Sequence, residues 1–190
     1  MYTEKKRIII VIITAVLLNL MLFLLAYYLE LPLWLDTTGT IYAALILGFP
    51  AGFIVAIVNN VSQALFFYGL ESLRFYLVSA LTALLTGIIA TKFKHRRGLK
   101  WFLLTLALLV LGITLAIILN FWAYGGIPAD HWGNKLYYDF LADGLRPWQS
   151  TLLSVSIVKF MDVIVSVVLV AIAHRITPKA IREPGTAIIQ

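Results

Sequence analysis

The chain of 190 residues contains no cysteine and few charged residues. Without cysteine there is no disulfide, no thiolate metal ligand and no cysteine nucleophile, and nothing indicates the redox state of the compartment. Charged residues make up 13% of the sequence, well below the ~25% typical of soluble domains, whereas 62% is hydrophobic. A soluble globule of this size cannot bury that much apolar surface, so the sequence predicts an integral membrane protein.

Motifs of common enzyme classes are also absent. The chain contains no P-loop, no His-Glu-x2-His and no Gly-x-Ser-x-Gly. The three histidines, His95, His131 and His174, are scattered, so we predict no histidine metal site. We therefore expect a protein that is not an enzyme and that carries no metal or other cofactor.

The hydrophobic runs predict an all-α membrane protein with six transmembrane helices in one domain. A helix needs about 20 apolar residues to cross a bilayer, and the second run reaches that length only if residues 31–37 extend it. Pro50 stops one helix and suits the first turn of the next, which indicates a tight hairpin there. The predicted spans are residues 8–28, 38–49, 51–67, 72–91, 101–123 and 150–173, with a long outer loop at 124–149.

The basic residues predict the orientation of these spans. The net charge is +6, but the clustering of Lys and Arg indicates topology and contact with anionic lipid headgroups and not a nucleic-acid partner. With both termini in the cytoplasm, only Arg74, Lys135 and Arg146 lie outside, and Lys159 lies within a span. The other eleven of the fifteen basic residues are then cytoplasmic: Lys5, Lys6, Arg7, Lys92, Lys94, Arg96, Arg97, Lys100, Arg175, Lys179 and Arg182.

Small residues recur at every fourth position on the third and fourth spans, which favours close helix packing in lipid. We therefore expect these two helices to be interior and the leucine-rich fifth span to face lipid. The two sets are Gly52, Ala56, Asn60 and Ala64, and Ser79, Ala83, Gly87 and Thr91.

The outer loop at 124–149 is too long for a simple turn and too aromatic for a solvated tail. We expect it to fold over the outer mouth of the bundle, with Trp132, Tyr138 and Trp148 as candidates for stacking on a ligand. An interfacial aromatic belt explains Trp148 and Tyr124 equally well, because both stand at the ends of spans.

Lys159 and Asp162 are ionisable residues inside the last span, where a charge costs ~2.5 to 3.5 kcal/mol at the helix centre. Three residues apart, they share a helix face with Ser166 and form a polar stripe on an apolar helix. One interpretation is a mutual ion pair that fixes the helix in the bundle. The other is a binding site in which Asp162 orients Lys159 towards a carboxylate or ring carbonyl of a ligand, and both can hold together.

Two further polar sets are candidates for the same site. Asn59, Asn60 and Gln63 cluster on the third span, and their amides suit recognition of a neutral heterocycle. Interhelical hydrogen bonding is the competing explanation, above all for the isolated Asn19 and Asn120. Asp36 precedes hydroxyl residues and a glycine, which is typical of a helix N-cap, although the same helix start could also present N–H groups to a polar ligand.

The sequence resembles the substrate-specific S components of energy-coupling factor (ECF) transporters, the bacterial importers of vitamins and related micronutrients. The similarity covers most of the chain through its length and layout. Its motifs are LDTTGT at 35–40, LGFPAG at 47–52, Asn59 with Asn60, and VKFMD at 158–162 with Ser166. Similar segments also occur as input domains of bacterial sensor kinases.

The resemblance implies a six-helix subunit in the bacterial plasma membrane that captures a vitamin-like substrate from the outer side. It implies docking to a transmembrane coupling subunit and two ATPase subunits, followed by release of the substrate inside. The expected contacts are Asp36, Asn59, Asn60, Gln63, Trp132, Tyr138, Trp148, Lys159 and Asp162. The alternative is a sensory or interaction module that relays ligand binding to a cytoplasmic partner.

Overall fold

The computed structural model describes residues 4–182, and it is helical without a strand in that range. A π-helical turn at Ala64–Tyr68 and a 3-10 segment at Leu70–Phe75 join the third and fourth helices. The α-helices are α1 (Glu4–Tyr28), α2 (Thr38–Leu47), α3 (Phe49–Gln63), α4 (Tyr76–Lys92), α5 (Arg97–Tyr124), α6 (His131–Ala142), α7 (Pro147–Ile176) and α8 (Lys179–Arg182).

Five helical segments of the described chain are long and apolar enough to cross a membrane, which is consistent with a multi-pass membrane protein. They are Glu4–Tyr28, Phe49–Tyr68, Leu70–Lys92, Arg97–Tyr124 and Pro147–Ile176. The all-α prediction is confirmed to this extent. The second predicted span is only the ten-residue helix α2, because residues 29–37 are irregular and do not extend it.

The turn between α2 and α3 forms the predicted hairpin. Gly48 adopts φ 90°, which an L side chain rarely does, and Pro50 lies in the first turn of α3. The predicted break at Pro50 is therefore shifted to Gly48, and α3 begins at Phe49.

The small residues of α3 and α4 allow close packing around α2. A Cβ on Gly52 would lie 2.7 Å from the Cβ of Ala44 and 3.1 Å from that of Ala83. A Cβ on Gly87 would lie 2.7 Å from the backbone nitrogen of Phe49. In the most apolar 18-residue stretch of each segment, 44% of the residues are buried in Phe49–Tyr68 and 39% in Leu70–Lys92, against 28% in Arg97–Tyr124. Their compositions predict this order. Thr91 is the exception, because it is exposed.

The lipid-facing surface follows the helix period. On α1 the exposed residues Ile9, Ile13, Leu17 and Met21 recur at every fourth position, whereas Val11, Ala15 and Asn19 are buried against the bundle. Such a stripe of large apolar side chains suits a hydrocarbon solvent.

The two ends of the described chain meet at one end of the bundle. Arg7 Nε donates to the carbonyl of Ile181 at 2.7 Å, and its Nη2 donates to the carbonyl of Ile46 at 3.3 Å. The hydroxyls of Tyr42 and Thr177 are 2.9 Å apart. The irregular connection at 29–37 and α6 lie at the opposite end, next to the cavity described below.

Candidate functional site

A cavity of about 520 Å³ lies between α3, α4, α5 and α7, beneath the connections at 29–37 and 125–130. Its wall combines polar side chains with two aromatic pairs. The rings of Trp34 and Tyr68 are 5.5 Å apart, and those of Phe75 and Tyr124 are stacked at 6.2 Å. The polar residues that line it are Asp36, Thr37, Asn60, Gln63, Ser72, Ser79, Asn120, Asp130, Asn134 and Lys159.

Lys159 and Asp162 form the ion pair that their spacing predicts. Lys159 Nζ lies 3.3 Å from Asp162 Oδ2 and 5.7 Å from the centre of the Trp34 ring. Lys159 lines the cavity, whereas Asp162 is 2% exposed and lies behind it. The ammonium therefore reaches the cavity wall with its counter-charge already beside it.

Asp162 has a second role that the sequence did not show. Its Oδ1 accepts hydrogen bonds from the backbone N–H groups of Trp34 at 3.0 Å and Leu35 at 2.8 Å. These donors belong to the irregular connection, whose N–H groups would otherwise be unpaired inside the bundle. Leu35 is buried with φ 52°, an unfavourable conformation for a non-glycine residue that the surrounding structure must hold in place.

Asp36 does not cap α2. The N-cap position belongs to Thr37, whose side chain makes no capping hydrogen bond, so the N-cap expectation is wrong. Instead the Asp36 carboxylate lines the cavity, where Oδ2 is 3.5 Å from Nε2 of Gln63. The Asp36 backbone carbonyl accepts from Asn59 Nδ2 at 3.0 Å. Asn59 therefore positions the connection without lining the cavity.

The amide cluster of α3 is divided between structure and cavity. Asn60 Nδ2 donates to Ala56 O at 2.9 Å and to Ser79 Oγ at 3.0 Å, which joins α3 to α4. Asn60 and Gln63 both line the cavity and are 7% and 5% exposed. Among residues 4–182 the amide oxygen of Gln63 accepts no hydrogen bond, so it is free for a ligand.

The isolated asparagines also differ in their roles. Asn19 is fully buried and holds α2, accepting from Gly39 N and donating to Thr40 Oγ1 at 3.1 Å, as interhelical bonding predicts. Asn120 lines the cavity and accepts from the Ala129 N–H at 3.2 Å. It thereby fixes the outer connection over the cavity.

The outer loop contains the amphipathic helix α6, and only some of its aromatic residues approach the site. Trp132 lines a second cavity of about 390 Å³, and its indole N–H donates to the carbonyl of Glu30. Tyr138 and Trp148 are each 52% exposed and line neither cavity. Trp34, Tyr68, Ala129 and Asp130 line both cavities and so separate the smaller one from the larger one.

One carboxylate of the cavity lies in a connection outside the spanning helices and has a raised pKa. Burial raises the pKa of Asp130, opposed by its hydrogen bond from the Gly133 N–H. The cavity wall therefore stabilises this negative charge poorly.

Several wall residues were missed by sequence reasoning: Trp34, Tyr68, Phe75, Tyr124, Asp130 and Asn134. Asp130 and Asn134 lie in the outer loop, whose aromatic content did predict a folded cover. Tyr68 and Phe75 flank Gly69, at the outer ends of the predicted spans. An interfacial aromatic belt explained Tyr124 equally well from the sequence, and Tyr68 and Phe75 were not considered.

Fold and site together define a class, a helical bundle with five segments long and apolar enough to cross a membrane and a cavity that combines polar and aromatic walls. No protein-family model, curated protein or solved structure matches the chain.

Proposed function

We propose that this chain is the substrate-binding subunit of an ATP-driven importer of the ECF type. In this proposal it captures a vitamin-like or heterocyclic micronutrient from the outer side of a bacterial plasma membrane. A transmembrane coupling subunit and two ATPase subunits then drive its delivery to the cytoplasm. The chain itself carries out no chemical step.

The main support is the cavity, into which α3, α7 and the connection at 29–37 bring Gln63, Lys159 and Asp36 together. A few convergent polar groups in a largely apolar wall are typical of small-molecule sites. The volume of about 520 Å³ suits a molecule of one or two rings. These three residues come from all three of the polar sets named from the sequence.

The proposal includes a sixth crossing of the membrane by α2 and residues 29–37. A ten-residue helix is about 15 Å long, half of a ~30 Å hydrocarbon core, and in this proposal residues 29–37 cover the remaining depth. Irregular backbone at that depth needs partners within the protein, as transporters with broken helices provide. Asp162 and Asn59 supply them here.

Ligand binding by the purified chain in lipid nanodiscs tests the binding step. We expect one member of a panel of vitamins, vitamin precursors and nucleobases to raise the thermal midpoint, and Gln63→Leu to reduce that shift. Ser62→Ala is the matched control, because Ser62 is the neighbouring residue on α3 and lines neither cavity. No ligand-dependent shift across the panel would count against the proposal.

Uptake in cells separates transport from the sensory alternative. We expect accumulation of the labelled ligand in cells that express the chain with a coupling subunit and active ATPases, and none when the ATPases carry a catalytic-site mutation. A chain that binds its ligand tightly but gives no ATPase-dependent uptake would favour a sensory or interaction module.

A further inference from the structure

The larger cavity offers a ligand several unpaired hydrogen-bond acceptors. Within residues 4–182, Oδ1 of Asp36 and the amide oxygens of Asn60 and Gln63 accept no hydrogen bond from another residue. Gln63 is 5% exposed and lines the cavity, and its unpaired oxygen is not fully enclosed by protein, so it is accessible from the cavity. A ligand with N–H donors would pair with these acceptors at a site that is largely shielded from water.

The charge of the site favours a positively charged ligand over a carboxylate. Lys159 has its counter-charge in Asp162, which lies 3.3 Å away. Asp36 and Asp130 line the same cavity, and no salt bridge to either is formed within the described chain. A ligand that carries another carboxylate would add to this excess of negative charge, whereas a cation would neutralise part of it.

The aromatic pairs of the cavity wall favour a planar ligand. The Trp34–Tyr68 and Phe75–Tyr124 pairs both line the cavity, so a planar ring can pack against aromatic faces. A cationic group would gain further from such faces, because their electron density attracts positive charge.

We propose that the substrate is a planar heterocycle that carries an amine or a positive charge, and that Asp36, Gln63 and Asn60 accept its N–H groups. This inference rests on the proposed function and narrows it to a substrate class. It replaces the expectation that Lys159 faces a ligand carboxylate, because the charge of Lys159 is already matched by Asp162.

Matched ligand pairs test this inference with the full chain in nanodiscs. Pyridoxamine and 4-pyridoxic acid share a ring, but the first carries an amine where the second carries a carboxylate. 3-(Aminomethyl)pyridine and nicotinic acid form a second pair of the same kind. Thiamine adds a larger aminopyrimidine with a fixed positive charge. We expect at least one amine-bearing or cationic probe to bind, and each amine that binds to do so at least tenfold more tightly than its acid partner.

Two variants locate the effect at the carboxylates. Asp36→Asn should weaken binding of the amine-bearing probe at least tenfold, whereas Asp139→Asn, which removes the same charge from an exposed position, should leave it unchanged. Asp130→Asn is a second variant, because asparagine caps a helix as well as aspartate does and so keeps the start of α6 intact. It should also weaken binding.

Tighter binding of an acid partner, or failure of every amine-bearing and cationic probe, would overturn the inference. So would unchanged affinity in both carboxylate variants. Binding of an acidic or neutral ligand would overturn only the substrate class and would leave the proposed transport function in place. If no ligand in the wider panel bound, both the substrate class and the transport function would be contradicted.

Discussion

Asp162 is the residue whose role the structure changes most. Each of its oxygens has a task, because Oδ1 accepts two backbone N–H groups and Oδ2 pairs with Lys159. The charge that first indicated a ligand contact therefore stabilises the connection that carries Asp36. Lys159, not Asp162, is the member of the pair that lines the cavity.

Removing either member of this pair should therefore have different effects. Asp162→Ala leaves two N–H groups and a buried ammonium without a partner, which we expect to cost about 3 to 5 kcal/mol. Lys159→Met leaves Asp162 with its two N–H donors and should cost less. Thermal unfolding of the two variants in nanodiscs checks the order, and an Asp162→Ala midpoint equal to that of the wild type would contradict this role.

The sequence indicated Lys159 and Gln63 because a polar group inside an apolar segment is costly and therefore conspicuous. It indicated Asp36 because that residue stands at the start of a predicted helix. It did not predict the hydrogen bond from the backbone N–H of Leu35 to Asp162, because these residues are 127 positions apart in sequence. The path of an irregular connection depends on tertiary contacts, and no residue pattern specifies it.

At the scale of the helices, hydropathy predicted which long helices exist better than it predicted the residues at which they begin and end. All five long segments fall on predicted spans, because a run of apolar residues has a length that can be counted. The helix α6 was not predicted, since the outer loop was interpreted by its aromatic content alone. Its amphipathic pattern, with Tyr137 buried and Tyr138 and Asp139 exposed, was the available signal.

The packing of α2 against α1 depends on Gly39. A Cβ there would lie 1.9 Å from the backbone carbonyl oxygen of Ala15, which cannot move without moving α1. We expect Gly39→Ala to destabilise the protein by about 1 to 3 kcal/mol. Gly98→Ala is the control, because nothing lies within 4 Å of its Cβ position.

Thermal unfolding and the yield of monodisperse protein report both variants. Gly98→Ala should match or slightly exceed the wild type, since alanine favours a helix. Equal stability of Gly39→Ala and Gly98→Ala would show that α1 and α2 are farther apart than described.

At the scale of the whole molecule, the two described ends lie together and the cavity lies at the opposite end. If the ends are cytoplasmic, the cavity opens to the outside, as capture of a substrate requires. The absence of cysteine makes this orientation easy to test, because a single introduced thiol is the only one in the chain.

We expect Asp143→Cys in intact cells to react with a membrane-impermeant maleimide and Lys94→Cys to react only after lysis. Both positions are exposed at the ends of helices, so accessibility is comparable. The reverse pattern would place the cavity on the cytoplasmic side and would exclude uptake by this route.

The central claim is that the cavity binds a small-molecule substrate. Native mass spectrometry of the protein released from nanodiscs tests it most directly, because it measures the mass of any bound molecule. After incubation with an extract of small metabolites, we predict one bound small molecule per chain in the wild type. Its occupancy should fall sharply in Gln63→Leu and stay the same in Ser62→Ala. A wild-type spectrum without a bound small molecule, or equal occupancy in Gln63→Leu, would contradict a substrate site in this cavity.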